Sequence, residues 1–108
     1  MSIRTLREVC EVLNISRRTI QGYEELGLLI PSGRNDRGWL LYDEECQERI
    51  KLLKFYQKAG FKGKEIKVLL AAEQTERERM LRGRQEKLRD EVKEKERVIM
   101  EISRMVEG

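Results

Sequence analysis

Histidine is absent from the 108 residues, and proline occurs once, at Pro31. Without imidazole the chain lacks the usual general base near neutral pH and the commonest neutral metal ligand. The two cysteines, Cys10 and Cys46, lie far apart and each falls within a helical pattern, so neither a metal centre nor a disulfide framework is expected. We read both as reduced, small apolar residues; a disulfide or a redox sensor is the alternative. No apolar run approaches the length that spans a bilayer, the longest being stretches such as Leu28-Leu29-Ile30. The N-terminus has no signal-peptide pattern either, which makes the cytoplasm the expected location and leaves no role for a membrane. No nucleophile stands beside a base, no glycine-rich loop could cradle a phosphate, and no carboxylate pair is placed for acid–base work. An enzyme is therefore not expected, nor a cofactor or a metal.

Charge is what the chain has in abundance. Charged residues make up 40% of it against 6% aromatics, a balance typical of long exposed helices. The basic excess is unevenly placed: residues 1–70 carry 13 Lys+Arg against 10 Asp+Glu, while residues 71–108 carry 10 of each. This divides the chain into a basic domain over 1–70 and a neutral helical segment over 71–108. An isoelectric point near 9.0 suits a nucleic-acid binder without requiring one.

The basic part is organised around Ser16–Leu29, SRRTIQGYEELGLL. Ser16 can cap a short helix and Gly27 can end it in the left-handed conformation. Ile20 and Leu26 then point to a core, with Tyr23 on an adjoining face and Arg17, Arg18 and Gln21 outward. Such a face offers guanidinium groups to phosphate or guanine, an amide to adenine, and a phenol hydroxyl to a phosphate oxygen. A solvated helix face is the bland alternative, so the surroundings decide.

Upstream, Thr5 and Glu8 make a capping box, and Leu6, Val9, Cys10 and Leu13 recur at helical spacing. Asn14-Ile15-Ser16 is too short for anything but a tight turn between two helices. Helix, turn and basic helix form a helix-turn-helix candidate. Downstream, Leu28-Leu29-Ile30 and Trp39-Leu40-Leu41-Tyr42 are β-prone runs flanking a polar, glycine-containing connection. They read as a hairpin with Arg34 and Arg37 near its tip, the position of a wing. Asp43 can cap a third helix, with Cys46, Ile50, Leu53 and Phe55-Tyr56 on its buried side and Gly60 at its end. A fourth, around Gly63 to Leu70, buries Ile66, Leu69 and Leu70. It leaves Lys62, Lys64 and Lys67 outside, as a second phosphate-contacting patch or as solvated charges.

From Ala72 to Val106 the pattern predicts one helix of about 50 Å at 1.5 Å per residue. Its narrow seam, at alternating spacings of four and three, is Leu81, Gln85, Leu88, Val92, Lys95, Ile99, Ile102 and Val106. A helix so charged needs a partner, and a second copy of the chain supplies one. Parallel pairing would set Lys95 against Lys95. Antiparallel pairing centred between residues 93 and 94 instead sets Leu81 on Val106, Gln85 on Ile102, Leu88 on Ile99 and Val92 on Lys95. Each polar residue then meets an apolar one, and the lysine head can reach water. An antiparallel coiled-coil homodimer is the expectation.

These features together resemble the MerR family of bacterial transcription regulators. The resemblance rests on Ser16, Arg18-Thr19-Ile20, Tyr23-Glu24, Gly27-Leu28-Leu29, Gly38, Tyr42, Gly60-Phe61, Glu65-Ile66 and Leu69-Leu70, in this order and spacing. It implies a mainly α fold: a winged helix-turn-helix followed by a long dimerisation helix in an antiparallel coiled coil. It also implies double-stranded DNA as partner, with two recognition helices on a pseudo-palindromic promoter site, and bending and untwisting of the promoter spacer so that RNA polymerase can engage. Arg18 and Tyr23 would contact the phosphate backbone, Arg17 and Gln21 would read bases, and Arg37 and Trp39 would follow the neighbouring backbone or minor groove. Ser16, Thr19, Arg34, Tyr42, Lys62 and Lys64 complete the expected DNA-binding set. The sequence departs from the family pattern at Gln21-Gly22, where Arg and an aromatic are common, at Leu40 for a wing arginine, and at Lys62 for a capping serine. No cysteine stands at or beyond the coiled coil, so the reading is of a short regulator without an effector domain, or a piece of a longer protein. Two other functions share the pattern: an excisionase-like architectural DNA binder, and a MerR-like protein-interaction module that modulates a co-chaperone.

Overall fold

Caps written into the sequence set most of the helix boundaries in the computed structural model, which describes residues 2–108. The Thr5 hydroxyl accepts from the Glu8 amide while the Glu8 carboxylate accepts from the Thr5 amide at 2.9 Å, and this reciprocal pair opens α1 (Leu6–Leu13). Asn14 then turns the chain with a left-handed backbone, φ 50°. Ser16 Oγ accepts from the Thr19 amide at 3.1 Å to open α2 (Arg17–Glu25), and Gly27, at φ 74°, ends that helix as the Leu28 amide returns to the Tyr23 carbonyl. Asp43 opens α3 (Glu44–Lys58) by accepting from the Cys46 amide at 2.9 Å. That bond holds the Asp43 carboxyl below its ordinary value.

One sheet of three strands occurs among the described residues, two of them between α2 and α3. β2 (Gly33–Arg34) and β3 (Leu40–Tyr42) form the expected hairpin, with Gly33 opposite Leu41 and Arg34 opposite Leu40. The first hairpin strand is not Leu28–Ile30: Leu28 and Leu29 are buried outside any strand, and pairing begins beyond Pro31. The third strand, β1 (Arg4–Thr5), pairs antiparallel to β3 and runs straight into α1.

Val9, Ile20, Tyr42, Ile50, Leu53 and Ile66 are buried completely. Tyr56 meets Phe61 edge-on at 6.0 Å. Two residues expected in the core are not there: Leu26 is 47% exposed and Phe55 59%. Leu26 stands at the C-cap of α2, past the stripe of Ile20 and Tyr23, and Phe55 follows Lys54 on the outer side of α3, off the stripe of Ile50 and Leu53. Cys10 and Cys46 are free thiols, half-buried, and burial raises both thiol pKa values, away from reactive thiolate.

The chain divides into two compact units, Met1–Val68 and Leu69–Gly108, with α4 (Gly63–Ala71) crossing the division. In the second unit α5 (Gln74–Glu107) is a single helix of 34 residues, about 51 Å long. Its start has no side-chain cap; instead Arg77 donates back to the carbonyls of Leu69 and Ala72. Along α5 the charges pair within the helix, Glu preceding Arg by three residues at Glu76–Arg79, Glu86–Arg89, Glu94–Arg97 and Glu101–Arg104. Such exposed pairs each contribute little, but this order suits the helix dipole.

Candidate nucleic-acid interface

The Ser16 cap does more than start α2. Ser16 Oγ also lies 2.7 Å from Thr19 Oγ1, so both hydroxyls are occupied at the helix start, and Arg17 and Arg18 emerge from the first turn into solvent. One turn further Gln21 is exposed, and beside it a Cβ added at Gly22 would meet nothing within 4 Å. Arg17, Arg18 and Gln21 thus present an open face, as expected.

Tyr23 is a correction. It is 2% exposed, and its hydroxyl donates to Gln57 Oε1 at 2.6 Å. Three residues after Ile20, it joins the inward stripe of α2 and is not an outward phosphate contact. Tyr42 is likewise buried, its hydroxyl donating to the Glu24 carboxylate at 3.3 Å. Burial and the neighbouring carboxylate push the Tyr42 phenol far upward, and burial raises Glu24 as well. Both tyrosines fasten α2 to the elements beneath it.

The wing is stiffened from within. Asn35 Oδ1 accepts from the amides of Arg37 and Trp39, both at 3.0 Å, and Gly38 takes φ 79° to close the turn. Arg34 donates to the Gly38 carbonyl at 2.6 Å, so its side chain braces the loop. Arg37 lies over the Trp39 ring, 5.4 Å from its centroid, and both are exposed. A cleft of about 460 Å³ joins the wing to the helix-turn-helix, lined by Thr5, Leu6, Arg7, Arg17, Trp39 and Leu40. Arg7 is the residue that sequence reasoning missed here: its pairing with Glu11 at 3.4 Å is fully exposed, and only the fold brings it beside Arg17.

Other cations are engaged elsewhere. Lys54 donates to the carbonyls of Leu13 and Asn14, covering the C-terminus of α1, and Arg49 donates to the Leu28 carbonyl. Lys62, Lys64 and Lys67 are exposed, and the Lys62 amide is held by Glu65 Oε1 at 2.8 Å, half of a capping box without its serine. On α5, Leu81 is half-buried and Gln85, Leu88, Val92, Lys95, Ile99, Ile102 and Val106 are exposed along one face. Val98, Met100 and Met105 widen the exposed apolar surface beyond the expected seam.

Two helices joined by a three-residue turn, with a β-hairpin after the second, define a winged helix-turn-helix. The family model for MerR HTH family regulatory protein matches residues 4–73. The HTH-type transcriptional activator mta of Bacillus subtilis is 30% identical over 99 residues, covering 92% of this chain and 38% of that protein. The mercuric resistance operon regulatory protein of Bacillus cereus is 32% identical over 63 residues, covering 58% of this chain and 48% of that one. This chain therefore spans less than half the length of these curated relatives. Among solved structures, the N-terminus of MtaN, the Bacillus subtilis multidrug transporter activator, has a TM-score of 0.75 at 28% identity, covering 97% of this chain and 99% of that one. HiNmlR, a MerR family regulator lacking the sensor domain and bound to promoter DNA, has a TM-score of 0.76 at 19% identity, covering 97% and 88%, a likeness of fold. The chain belongs to the MerR HTH family of DNA-binding transcription regulators, as the residues of α2, the wing and α4 implied. No helix among the described residues is long and apolar enough to cross a membrane.

Proposed function

We propose that this chain is a sequence-specific promoter-binding regulator that acts as a homodimer through α5. The observation that carries the reading is the open face of α2, where Arg17, Arg18 and Gln21 stand free and Arg17 shares a cleft with Arg7 and Trp39. In this reading α2 enters the major groove, Arg17 and Gln21 meet base edges, and Arg18 holds the backbone. The next backbone segment lies across the cleft, between Arg7 and the Arg37–Trp39 pair. Lys62 and Lys64 add phosphate contacts from the start of α4. Two copies joined antiparallel along α5 read an inverted repeat and bend and untwist the promoter spacer for RNA polymerase, in the cytoplasm.

The test is selection from random duplex pools, followed by sequencing and a salt titration, with Arg18→Ala beside the wild type. Recovery of an inverted repeat that the variant no longer enriches supports the reading. Salt-sensitive binding without a motif would favour an architectural protein. A folded dimer that binds no duplex would favour a protein-interaction module.

A further inference from the structure

Apart from the tyrosines, Gln47 is the one buried polar side chain among the described residues, 4% exposed at the end of the first turn of α3. Its amide is fully used. Nε2 donates to the Ser2 carbonyl at 2.9 Å and to the Tyr42 carbonyl at 2.8 Å, while Oε1 accepts from the Arg4 guanidinium. We propose that Gln47 is a positioning residue for DNA recognition, which holds the wing at a fixed offset from the helix-turn-helix so that both reach one duplex. The inference rests on the DNA-binding reading above and deepens it.

The three partners of Gln47 belong to two segments whose relative position matters. Tyr42 ends β3, the strand that forms one side of the wing. Ser2 leads into β1, which begins at Arg4 and ends at Thr5, the cap of α1. Between these segments runs a ladder of only two residue pairs, Arg4 with Tyr42 and Thr5 with Leu41. A ladder that short has few hydrogen bonds of its own to hold it, and a slip of one residue would turn every side chain, the buried Tyr42 included, to the other face. The Gln47 amide bonds a carbonyl on each side of the ladder at once, so it fits one register alone. β3 begins at Leu40, directly after Trp39, and these two residues line the cleft with Arg7 and Arg17. Any shift of β3 against β1 would move the wall of that cleft away from the two arginines. An apolar residue would fill the same space without the desolvation cost of an amide, which is offset only where every hydrogen bond is made. No buried side-chain nitrogen or oxygen among the described residues lacks a partner.

The test compares wild type with Gln47→Met, which keeps the volume and removes all three bonds, on duplex DNA over a range of salt concentrations. The variant is first shown to be folded and of unchanged oligomeric state; if it does not fold, Gln47→Glu, which keeps the acceptor for Arg4, carries the same comparison. The expected result is weaker binding with a log–log salt slope shallower by about 1 for each phosphate contact that the wing no longer makes. Arg37→Ala should weaken the wild type but cost little more in the Gln47→Met background. Amide hydrogen exchange should quicken at Arg4–Thr5 and Leu40–Tyr42. An unchanged slope, with Arg37→Ala equally costly in both backgrounds, would overturn the proposal even if the variant melts earlier, because Gln47 would then be structural only. If the wild type binds no duplex at any salt, the DNA-binding reading fails and the recognition role with it, and hydrogen exchange still reports whether Gln47 holds β1 on β3.

Discussion

A tyrosine on a recognition helix can offer its hydroxyl to a phosphate or tie the helix to its scaffold, and Tyr23 does the second through Gln57. Tyr23→Phe should therefore lower stability by about 1 kcal/mol in urea titrations, the usual net worth of one hydrogen bond, with duplex affinity close to wild type. Arg18→Ala, on an exposed face, should do the reverse. Glu24 gives a pH signature. Burial raises its carboxyl above the ordinary glutamate value of 4.5, so the folded state keeps a proton that the unfolded chain has already lost. Stability then falls as pH rises from that ordinary value through the raised one, and the penalty is complete above it. Glu24→Gln, which still offers Tyr42 an acceptor, should be the more stable protein at neutral pH and lose this advantage as pH falls. Unfolding of both variants at several pH values checks the sign.

Elements whose boundaries are local were readable from the chain alone. Thr5 with Glu8, Ser16 with Thr19, and Asp43 with Cys46 are each three residues apart, and each cap formed where its spacing put it. Strand β1 was not readable, because two residues carry no periodicity and its partner lies 36 or more residues away. The direction of Tyr23, the exposure of Leu26 and Phe55, and the sharing of one cleft by Arg7 and Arg17 depend in the same way on contacts between distant parts of the chain. Gly22 was readable as a departure from the family pattern; the open space beside it is a finding of the structure. With no atom near its missing Cβ, Gly22→Ala should stabilise the protein by about 0.5–1 kcal/mol, and a loss of duplex affinity in the same variant would place that helix surface against DNA. For α5 the expected pairing is tested by cysteines at 88 and 99 with Cys10 and Cys46 replaced. Oxidation should link 88 of one copy to 99 of another and leave a protein with a cysteine at 88 alone unlinked; the opposite result would mean parallel helices.

At the scale of the whole molecule the basic charge is divided between two tasks. Arg49 and Lys54 are tied to backbone carbonyls, Arg34 braces its own loop, and Arg7, Arg17, Arg18 and Arg37 remain at the surface around α2 and the wing. A net charge of +3 is therefore a poor guide to affinity; the placement of those four side chains is the better one. Residues 71–108 contribute no net charge, but α5 leaves Val92, Ile99, Ile102 and Val106 in water, each more than half exposed. Apolar surface of that kind is covered by association, and association stabilises whatever it binds by mass action. The melting temperature should accordingly climb when the protein is concentrated and drop when it is diluted, a dependence that scanning calorimetry at several concentrations would reveal. With α5 paired as proposed, abundance becomes a variable of the fold: at low copy number the same chain would be easier to unfold and easier to degrade, so its supply would set its own lifetime.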